Sequence, residues 1–425
     1  PSEARSPDAM IRRGRLEMYL PFSSDEADFL FTSVGADGTT LQVLEFEGLE
    51  RMSTPYRFTI DLVADDHDVD LEAMVGHIGR LTLRGPDGDT DICGIVSETR
   101  YLETRTRVSV YRVVLVPSLW LLSQRRKSRI YQELTLPEVI RSVLVDARIP
   151  TDRFRFSLTR AYAPQNYCVQ YRESDLNFIQ RLMEEVGIWY FFEHDPAGDI
   201  LVMGDSPVVH TPCPGSSEIN FRDESGSFGM EQTLHRFEFS HHVRPGRTYL
   251  RDYNYERSAL ALDTLQDGDR FHDLEQYDYP SLYATPEDGR GVNQTHRQEE
   301  QAQRCMGHGE SNCRNLSPGY LFDLALHPRR SLNRQYLIST VHHRGRQSQV
   351  LQEEAGASGG RGTYDNRIIV QPGHSCRFRQ DRYGRRRELC GDRLRIQRGD
   401  RESKACASAL PSLSRESTNG RQRTS

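Results

Sequence analysis

Apolar and polar residues alternate with a period of two along several stretches of the N-terminal third of the chain. The clearest stretch is residues 56–62, where aromatic and aliphatic side chains alternate with polar ones, as in a strand with one buried face. Residues 81–84 and 92–96 flank a Gly-Pro-Asp-Gly sequence that is typical of a hairpin turn, and residues 107–117 form another β-branched run. These stretches predict a first β-barrel or sandwich within residues 28–124.

The spacing of apolar residues becomes helical within residues 125–205. The Thr-Leu-Pro-Glu sequence at 135–138 is typical of a capping box with proline in the first turn. Ser174 is a suitable N-cap for a second amphipathic helix, and Gly187 is a natural stop. The aromatic run at 188–192 could line a ligand site, but a core strand behind the helix is the simpler interpretation. We therefore predict a small α+β domain with two amphipathic helices.

Strand-like patterns return in residues 206–367, which we assign to a second β-barrel. The main runs are residues 249–255, 319–326 and 335–342. A polar helix is predicted at about 293–306, and its few apolar positions indicate light packing. No sequence repeat between the two β regions is visible.

The two ends of the chain differ in composition from its middle. Residues 1–27 are polar and mixed in charge, and we read them as a loose leader. After Arg367 aromatic residues nearly vanish and arginine becomes frequent, so residues 368–425 predict a basic tail that is disordered or frameshifted. Residues 366–425 carry a net charge of +9, which leaves about −15 on the rest of a chain whose total is −6. An acidic body argues against nucleic acid as the main partner, although the tail alone could bind it.

Cysteine content and the lack of long apolar runs indicate where the chain folds. Eight cysteines are scattered without a Cys-x-x-Cys pair, which favours free thiols and cytoplasmic folding over a disulfide scaffold or a zinc ribbon. No apolar run approaches the roughly 20 residues that span a bilayer, and the first residues lack a secretory pattern. We expect no stable membrane insertion.

Two residue groups could in principle hold a metal ion. Cys305, His308 and Cys313 lie close in sequence, but their spacing fits no standard zinc pair, and a junction between a helix and a loop is the preferred reading. A second group consists of the carboxylates Asp273, Glu275 and Asp278. It lacks the glycine and the terminal glutamate of a calcium-binding loop, so a solvated acidic loop is preferred.

Cysteine–histidine catalysis is the other chemistry considered. Cys168 or Cys213 could act with a histidine of the pairs 241–242 or 342–343. Neighbouring residues of a strand face opposite sides, so the two members of a pair cannot share one site. Neither cysteine lies in a recognisable nucleophile motif. The sequence therefore predicts no enzyme, and no catalytic, cofactor-binding or metal-binding residues.

One long segment carries a family resemblance. CVQYRESDLNFIQRLMEEVGIWYFFEH, residues 168–194, resembles the signature of VgrG proteins, the spike proteins of type VI secretion systems that are also called Rhs-element Vgr proteins. Further segments similar to this family occur in the expected order, at residues 46–58, 250–257, 277–280, 309–329, 332–345 and 363–367.

The resemblance implies a mainly β, α+β fold like that of contractile-phage baseplate hub proteins. Two β-barrel hub domains would flank a small α+β domain, and three chains would form a ring of six barrels that can sit on a hexameric tube. The implied function is a structural spike or hub that caps the Hcp tube as a homotrimer and helps to deliver effector proteins. The implied location is the bacterial cytoplasm during assembly, and then the exterior or a target cell.

The chain departs from the family after Arg367. A complete member would continue into an OB-fold and a needle with a PAAR protein at its tip, whereas residues 381–385 are only a faint echo of the OB-fold. We expect a truncated or frameshifted copy that trimerises weakly and has no PAAR partner. Two alternatives stay open: a baseplate hub of a prophage or other contractile tail, and an enzyme or effector-bearing VgrG.

Overall fold

The computed structural model describes residues 27–36, 39–105, 107–223, 231–281, 283–347 and 362–373. All of them belong to the first of two compact units, which comprises residues 1–378. The predicted leader and tail therefore lie outside the described residues, apart from Ala27 and residues 368–373. Within the described ranges, no helix has the length and apolar composition that crossing a bilayer requires.

The alternating N-terminal region folds into a closed six-stranded barrel. Its strands are β1 (Phe29–Ser33), β2 (Gln42–Arg51), β3 (Thr54–Ala64), β4 (Ile78–Leu83), β5 (Thr90–Thr104) and β6 (Ser109–Val116). They pair in the order β1-β4-β5-β6-β3-β2, and a β1–β2 contact closes the ring. Phe58, Ile60 and Leu62 point inward and are fully buried. The predicted strand at 56–62 and the predicted hairpin at 81–96 are confirmed.

An α+β region follows the first barrel. It contains β7 (Arg126–Tyr131), α1 (Leu136–Asp146), β8 (Phe154–Ser157), β9 (Cys168–Ser174), α2 (Asp175–Val186), β10 (Trp189–Asp195) and β11 (Gly198–Gly204). Strands β10, β11 and β8 form one sheet, and β7 pairs with β9 in a two-stranded ribbon. Short 3-10 helices lie at Glu72–Met74, Ser118–Gln124, Pro207–Val209 and Arg330–Leu332.

The helix ends form as their sequences predict. Thr135 accepts from the Glu138 backbone N–H at 3.4 Å, while the Glu138 carboxylate accepts from the Thr135 backbone N–H at 2.8 Å. Ser174 caps α2, and Gly187 ends it in the left-handed region, with φ of 70°. The buried faces of both helices join the apolar core of the first barrel. The aromatic run after Gly187 is strand β10, as predicted.

The remaining strands form a second barrel and a separate sheet. They are β12 (Glu218–Phe221), β13 (Thr233–His241), β14 (Arg247–Asp252), β15 (Leu262–Asp267), β16 (Glu275–Asp278), β17 (Cys305–Ser311), β18 (Leu321–Ala325), β19 (Gln335–Arg346) and β20 (Thr363–Pro372). The second barrel has the order β19-β18-β12-β13-β17-β20, and β20 closes it by pairing with β19. The predicted boundary at Arg367 is wrong, because Ile368 and Val370 continue β20 with their side chains in the core.

The two barrels are joined edge to edge. Residues 340–346 of β19 pair in antiparallel fashion with residues 45–51 of β2, so the two barrels form one twelve-stranded sheet. Over the same stretch the other edge of β19 pairs with β20. Because β19 is bonded on both sides, the two barrels cannot turn relative to one another without breaking its ladder.

A small subdomain is inserted between β13 and β17. It consists of the sheet β15-β14-β16 and helix α3 (Pro286–Ala302), so the region predicted as a second barrel with a polar helix also contains a separate sheet. The predicted helix at 293–306 begins earlier, because Thr285 caps it, and it ends before Cys305, which begins β17. Light packing is also wrong: Asn293 and Arg297 are buried although they are polar. The domain bounds given above otherwise stay predictions.

A buried polar junction between the two barrels

Glu50 lies on the inner side of β2, where the two barrels meet. The alternation of β2 buries Phe46, Gly48 and Glu50 and exposes the residues between them. Because β2 pairs with β19, the same alternation brings His343 of β19 onto the inner side as well. Glu50 is only 4% exposed and His343 1%. Glu50 and His343 are thus an ionisable pair on the inner side of the strands, where apolar residues are usual.

A chain of hydrogen bonds runs from Glu50 into the second barrel. His343 Nε2 lies 2.8 Å from Glu50 Oε2, and His343 Nδ1 lies 2.7 Å from the Tyr364 hydroxyl. Asn366 Nδ2 donates to the Tyr364 oxygen at 3.2 Å and to the Cys313 carbonyl at 2.6 Å. The Asn366 oxygen accepts from Ser311 at 2.6 Å. Every donor is satisfied when Tyr364 donates to His343 and His343 donates to Glu50.

The α+β region reaches the same carboxylate from the other side. His194 of β10 places Nε2 3.8 Å from Glu50 Oε1, while its Nδ1 accepts from the Cys93 backbone N–H at 3.1 Å. Tyr56 donates to the Cys93 carbonyl and packs its ring 5.4 Å from the His194 ring. Three parts of the chain therefore meet at Glu50: the first barrel, the α+β region and the second barrel.

The charge of Glu50 depends on these two histidines. Burial, the largest single influence, raises the pKa of the Glu50 carboxyl, but the imidazoles of His194 and His343 outweigh it. The net result lowers the pKa from its usual 4.5 to about 2. Glu50 is therefore ionised at neutral pH, and its carboxylate accepts a hydrogen bond from His343 inside the protein. Removing one partner from such a buried arrangement is strongly destabilising.

Five of the segments that resemble VgrG proteins each contribute to this junction. Glu50 comes from 46–58, His194 from 168–194, His343 from 332–345, and Ser311 from 309–329; Tyr364 and Asn366 come from 363–367. Sequence reasoning did not single out Glu50, since one acidic residue in a strand normally faces solvent. The signal that could have found it is the break in alternation, because Glu50 falls in the same row as Phe46 and Gly48.

The candidate zinc residues do not come together. Cys305 opens β17 and lies across from His241, with its sulfur 3.3 Å from His241 Nδ1. His308 is exposed on the same strand, while Cys313 is buried beyond its end. Among the described residues, no group of three or more histidine, cysteine or acidic side chains could hold a metal ion. Two of the three acidic residues, Glu275 and Asp278, lie on β16, so the predicted loop is partly strand.

The candidate nucleophiles are core residues. Cys168 packs in the core shared with the first barrel, and Cys213 packs in the core of the second. Burial raises the pKa of the Cys213 thiol to about 12, which disfavours the reactive thiolate. His342 is bonded to Glu47 on the outer side of β19 while His343 points inward, so this histidine pair does face opposite ways. The absence of catalytic and metal-binding residues stays a prediction.

A family profile matches most of this region. Residues 49–349 match the phage tail baseplate hub (GPD) family, which is more than half of the chain. The type VI secretion system spike protein VgrG4b of Pseudomonas aeruginosa is 36% identical over 352 residues, which are 80% of this chain and 43% of that protein. VgrG3 of Vibrio cholerae is 29% identical over 358 residues, or 80% and 34%. The chain thus spans less than half the length of these relatives.

Solved structures show the same fold. An Escherichia coli component of the type VI secretion system, described as similar to the T4 tail proteins gp27 and gp5, has a TM-score of 0.62 at 19% identity, covering 82% of this chain and 79% of that one. A 43 kDa prophage tail protein from Shewanella oneidensis has a TM-score of 0.55 at 11% identity, covering 82% and 99%. The profile match shows that the chain, which is similar in sequence to type VI secretion VgrG spike proteins, belongs to the phage tail baseplate hub (GPD) family.

Proposed function

We propose that this chain is a hub that assembles as a trimer, caps the hexameric Hcp tube and takes part in delivering effector proteins. The observation that supports this most directly is the joining of two six-stranded barrels in one chain through β2 and β19. Three such chains supply six barrels. A ring of six similar barrels can meet six tube subunits, while the chain itself keeps threefold symmetry.

The buried junction fits this role because a ring needs its barrels at a fixed angle. Glu50, His343 and Tyr364 tie the strands of both barrels together where β2 and β19 pair. A structural cap requires a defined shape and not a reacting group. We therefore assign the junction a positioning role in assembly.

Protein partners beyond the tube are also part of the proposal. One chain of a solved Francisella PdpA–VgrG complex matches the fold of this chain with a TM-score of 0.53. That complex supports a hub that engages other proteins. We propose assembly in the bacterial cytoplasm and export together with the tube.

Reconstitution with the tube protein tests the proposal. The purified chain is mixed with the hexameric Hcp protein of the same bacterium, and the complexes are sized by light scattering and imaged by electron microscopy. We expect three copies of the chain at one end of each tube. A folded chain that leaves the tube ends bare at high concentration contradicts the proposal.

A contractile phage tail hub is the second candidate. It is favoured by the Shewanella prophage tail protein, which this chain covers almost completely. The same experiment separates the two when a phage tail-tube protein is offered in parallel. Binding to the phage tube protein alone supports the phage hub, and binding to Hcp alone supports the secretion hub.

A further inference from the structure

Two β elements outside the barrels each leave one face open to solvent. The first is the β7–β9 ribbon, whose open side we call the ribbon face; it comprises Arg126, Ile130, Tyr171 and Arg172. The second is the inserted sheet, whose open side we call the sheet face. It comprises Arg247, Tyr249, Arg251, Asp263, Leu265, Asp267, Glu275 and Tyr277. Neither belongs to the polar junction at Glu50.

The ribbon face is an exposed, partly apolar surface. Its other side is covered by α2, where the Tyr131 ring stacks on Phe178 at 5.7 Å between ring centres. On the open side, Ile130 is 58% exposed and Tyr171 51%. The Arg172 guanidinium lies 5.3 Å from the centre of the Tyr171 ring. Exposed aromatic and arginine side chains of this kind are enriched at protein interfaces.

The ribbon face is also strongly basic. Residues 125–131 contain four cationic side chains and no carboxylate. Three of the four contact the single carboxylate of Asp146; they are Arg125, Lys127 and Arg129. Among the described residues, no carboxylate lies within ion-pair distance of Arg126 or Arg172. These two cations are available to an acidic partner.

The sheet face has an aromatic and apolar centre. Helix α3 covers the inner side, where Asn293 bonds the backbone of β14 and β15. On the open side, Leu265, Tyr249 and Tyr277 lie directly opposite one another across the three strands. The Tyr249 and Tyr277 ring centres are 5.5 Å apart. Leu265 is 51% exposed and Tyr277 54%, so no other described part of the chain covers this row.

Acidic residues flank that row. The central strand also places Arg247 and Arg251 on this face, at the two ends of the row, and Arg247 pairs with Asp267 of β15 at 2.7 Å. Three carboxylates (Asp263, Asp267 and Glu275) thus stand against two arginines, a net charge of −1. By strand alternation, Asp263 and Glu275 stand on the same face as the tyrosines, at opposite ends of the sheet. Neither has a cation within ion-pair distance in the described part of the chain. The sheet face thus has a net charge of −1 against +2 from Arg126 and Arg172 on the ribbon face, and both faces have exposed tyrosine at the centre.

We infer that the sheet face of one copy docks on the ribbon face of a second copy. Helices α2 and α3 lie between the two elements, so one chain cannot bring its own two faces together. A contact between two different faces repeats head to tail, and it closes into a ring of three when each copy is rotated by 120° from the last. Such a ring is the assembly that the proposed function requires, and this inference rests on that function. Two family-like segments outside the junction, residues 250–257 and 277–280, contribute to this sheet and its borders.

Charge reversal on each face tests the contact. One variant carries Arg126→Glu and Arg172→Glu, and the other carries Asp263→Lys and Glu275→Lys. Self-association is measured by sedimentation up to millimolar chain concentration. We expect each variant alone to associate at least tenfold more weakly than the parent chain. We expect a chain that carries all four substitutions to recover association, because its acidic ribbon face then meets a basic sheet face at every contact of the ring.

The control variant carries Asp65→Lys and Asp89→Lys, which make the same charge change on exposed loops of the first barrel. It should associate like the parent chain. Parent self-association that neither reversal alters overturns this docking mode while leaving the trimeric hub intact. A parent chain that stays monomeric at every concentration overturns both the contact and unaided trimer formation. The binding of the chain to Hcp is a separate measurement, made in the reconstitution described above. Association of the parent with other cellular proteins only, lost in both variants, assigns these faces to a different partner and overturns the inference.

Discussion

The first barrel and the inserted subdomain bury different kinds of side chain. The barrel interior is built from large apolar residues such as Phe58, Ile60 and Leu62, all fully buried. The subdomain has a small apolar cluster of Leu250, Leu262 and Tyr283. Its sheet and helix are joined instead by the Asn293 side chain, which donates to the Thr248 and Thr264 carbonyls at 3.2 and 2.8 Å.

This difference separates stability from specificity. Apolar burial contributes roughly in proportion to area, so the barrel holds a large reserve of stability. A buried amide contributes about 1 kcal/mol per hydrogen bond but fixes one arrangement. The junction at Glu50 combines the two kinds of burial, because its hydrogen-bonded polar residues are surrounded by the apolar core. It is the place where the barrels are expected to be most sensitive to a single change.

The largest effect is expected for Glu50→Ala. The substitution removes the carboxylate that His343 donates to at 2.8 Å, which leaves that buried imidazole without its acceptor, and it removes the negative charge 3.8 Å from His194. We expect the free energy of unfolding to fall by about 4 kcal/mol, measured by urea denaturation at neutral pH.

The matched control is Glu47→Ala. Glu47 lies on the outer side of the same strand, and its carboxylate also bonds a histidine, His342, at 2.8 Å. Exposed pairs of this kind contribute at most about 1 kcal/mol. Equal losses for the two variants would show that burial at the junction has no special role.

Acid should remove a similar amount of stability through the same residue. The pKa of Glu50 is lowered to about 2 in the folded chain and returns to about 4.5 when the chain unfolds. Its contribution is therefore complete above about pH 4.5 and is lost as the pH falls towards 2, a change of about 3 kcal/mol. Urea denaturation across this range should show a steeper loss for the parent chain than for Glu50→Gln. Parallel curves for the two proteins would contradict the assignment.

The elements that sequence predicts well are those fixed locally. Alternation predicted the strand at 56–62. The capping residue Thr135 predicted the start of α1, and Gly187 predicted the end of α2. The polar helix was misplaced because its N-cap, Thr285, precedes a segment with few apolar residues. Periodicity carries no signal where a helix buries amide and charged side chains instead of an apolar stripe.

The site was harder to predict because it depends on pairing between distant strands. Glu50 and His343 are far apart in sequence and meet only through the β2–β19 ladder. Propensity and spacing describe single strands and do not specify which strands pair. The family resemblance identified the segments that form the junction, but it did not predict the contacts between them. The structure shows those contacts, since five of those segments contribute a side chain to one buried network.

A smaller and local effect is expected for Leu250→Ala. Leu250 is 1% exposed and packs with Leu262 and Tyr283 under α3. Truncating it should cost about 2.5 kcal/mol, and the loss should open the subdomain alone because the barrels have separate cores. Hydrogen exchange should accelerate in β14–β16 and α3 but not in β2 or β19. Leu265→Ala, on the exposed side of the same sheet, is the control and should leave exchange unchanged. Faster exchange throughout the chain would show that the subdomain and barrels unfold together.

The smallest effect on the barrels is expected from replacing residues 243–303 with a short turn. The strands that flank the insertion are already paired, since His241 lies opposite Cys305 and the His242 backbone N–H donates to the Arg304 carbonyl at 2.8 Å. A hairpin turn can therefore join β13 to β17 without moving either strand. The shortened chain should unfold within about 1 kcal/mol of the parent chain and keep the Glu50 network, which two-dimensional NMR of the His194 and His343 rings would report. It should also lose self-association, because the sheet face is gone. A shortened chain that fails to fold, while Leu250→Ala opens only the subdomain, would show that α3 supports the α+β region beneath it.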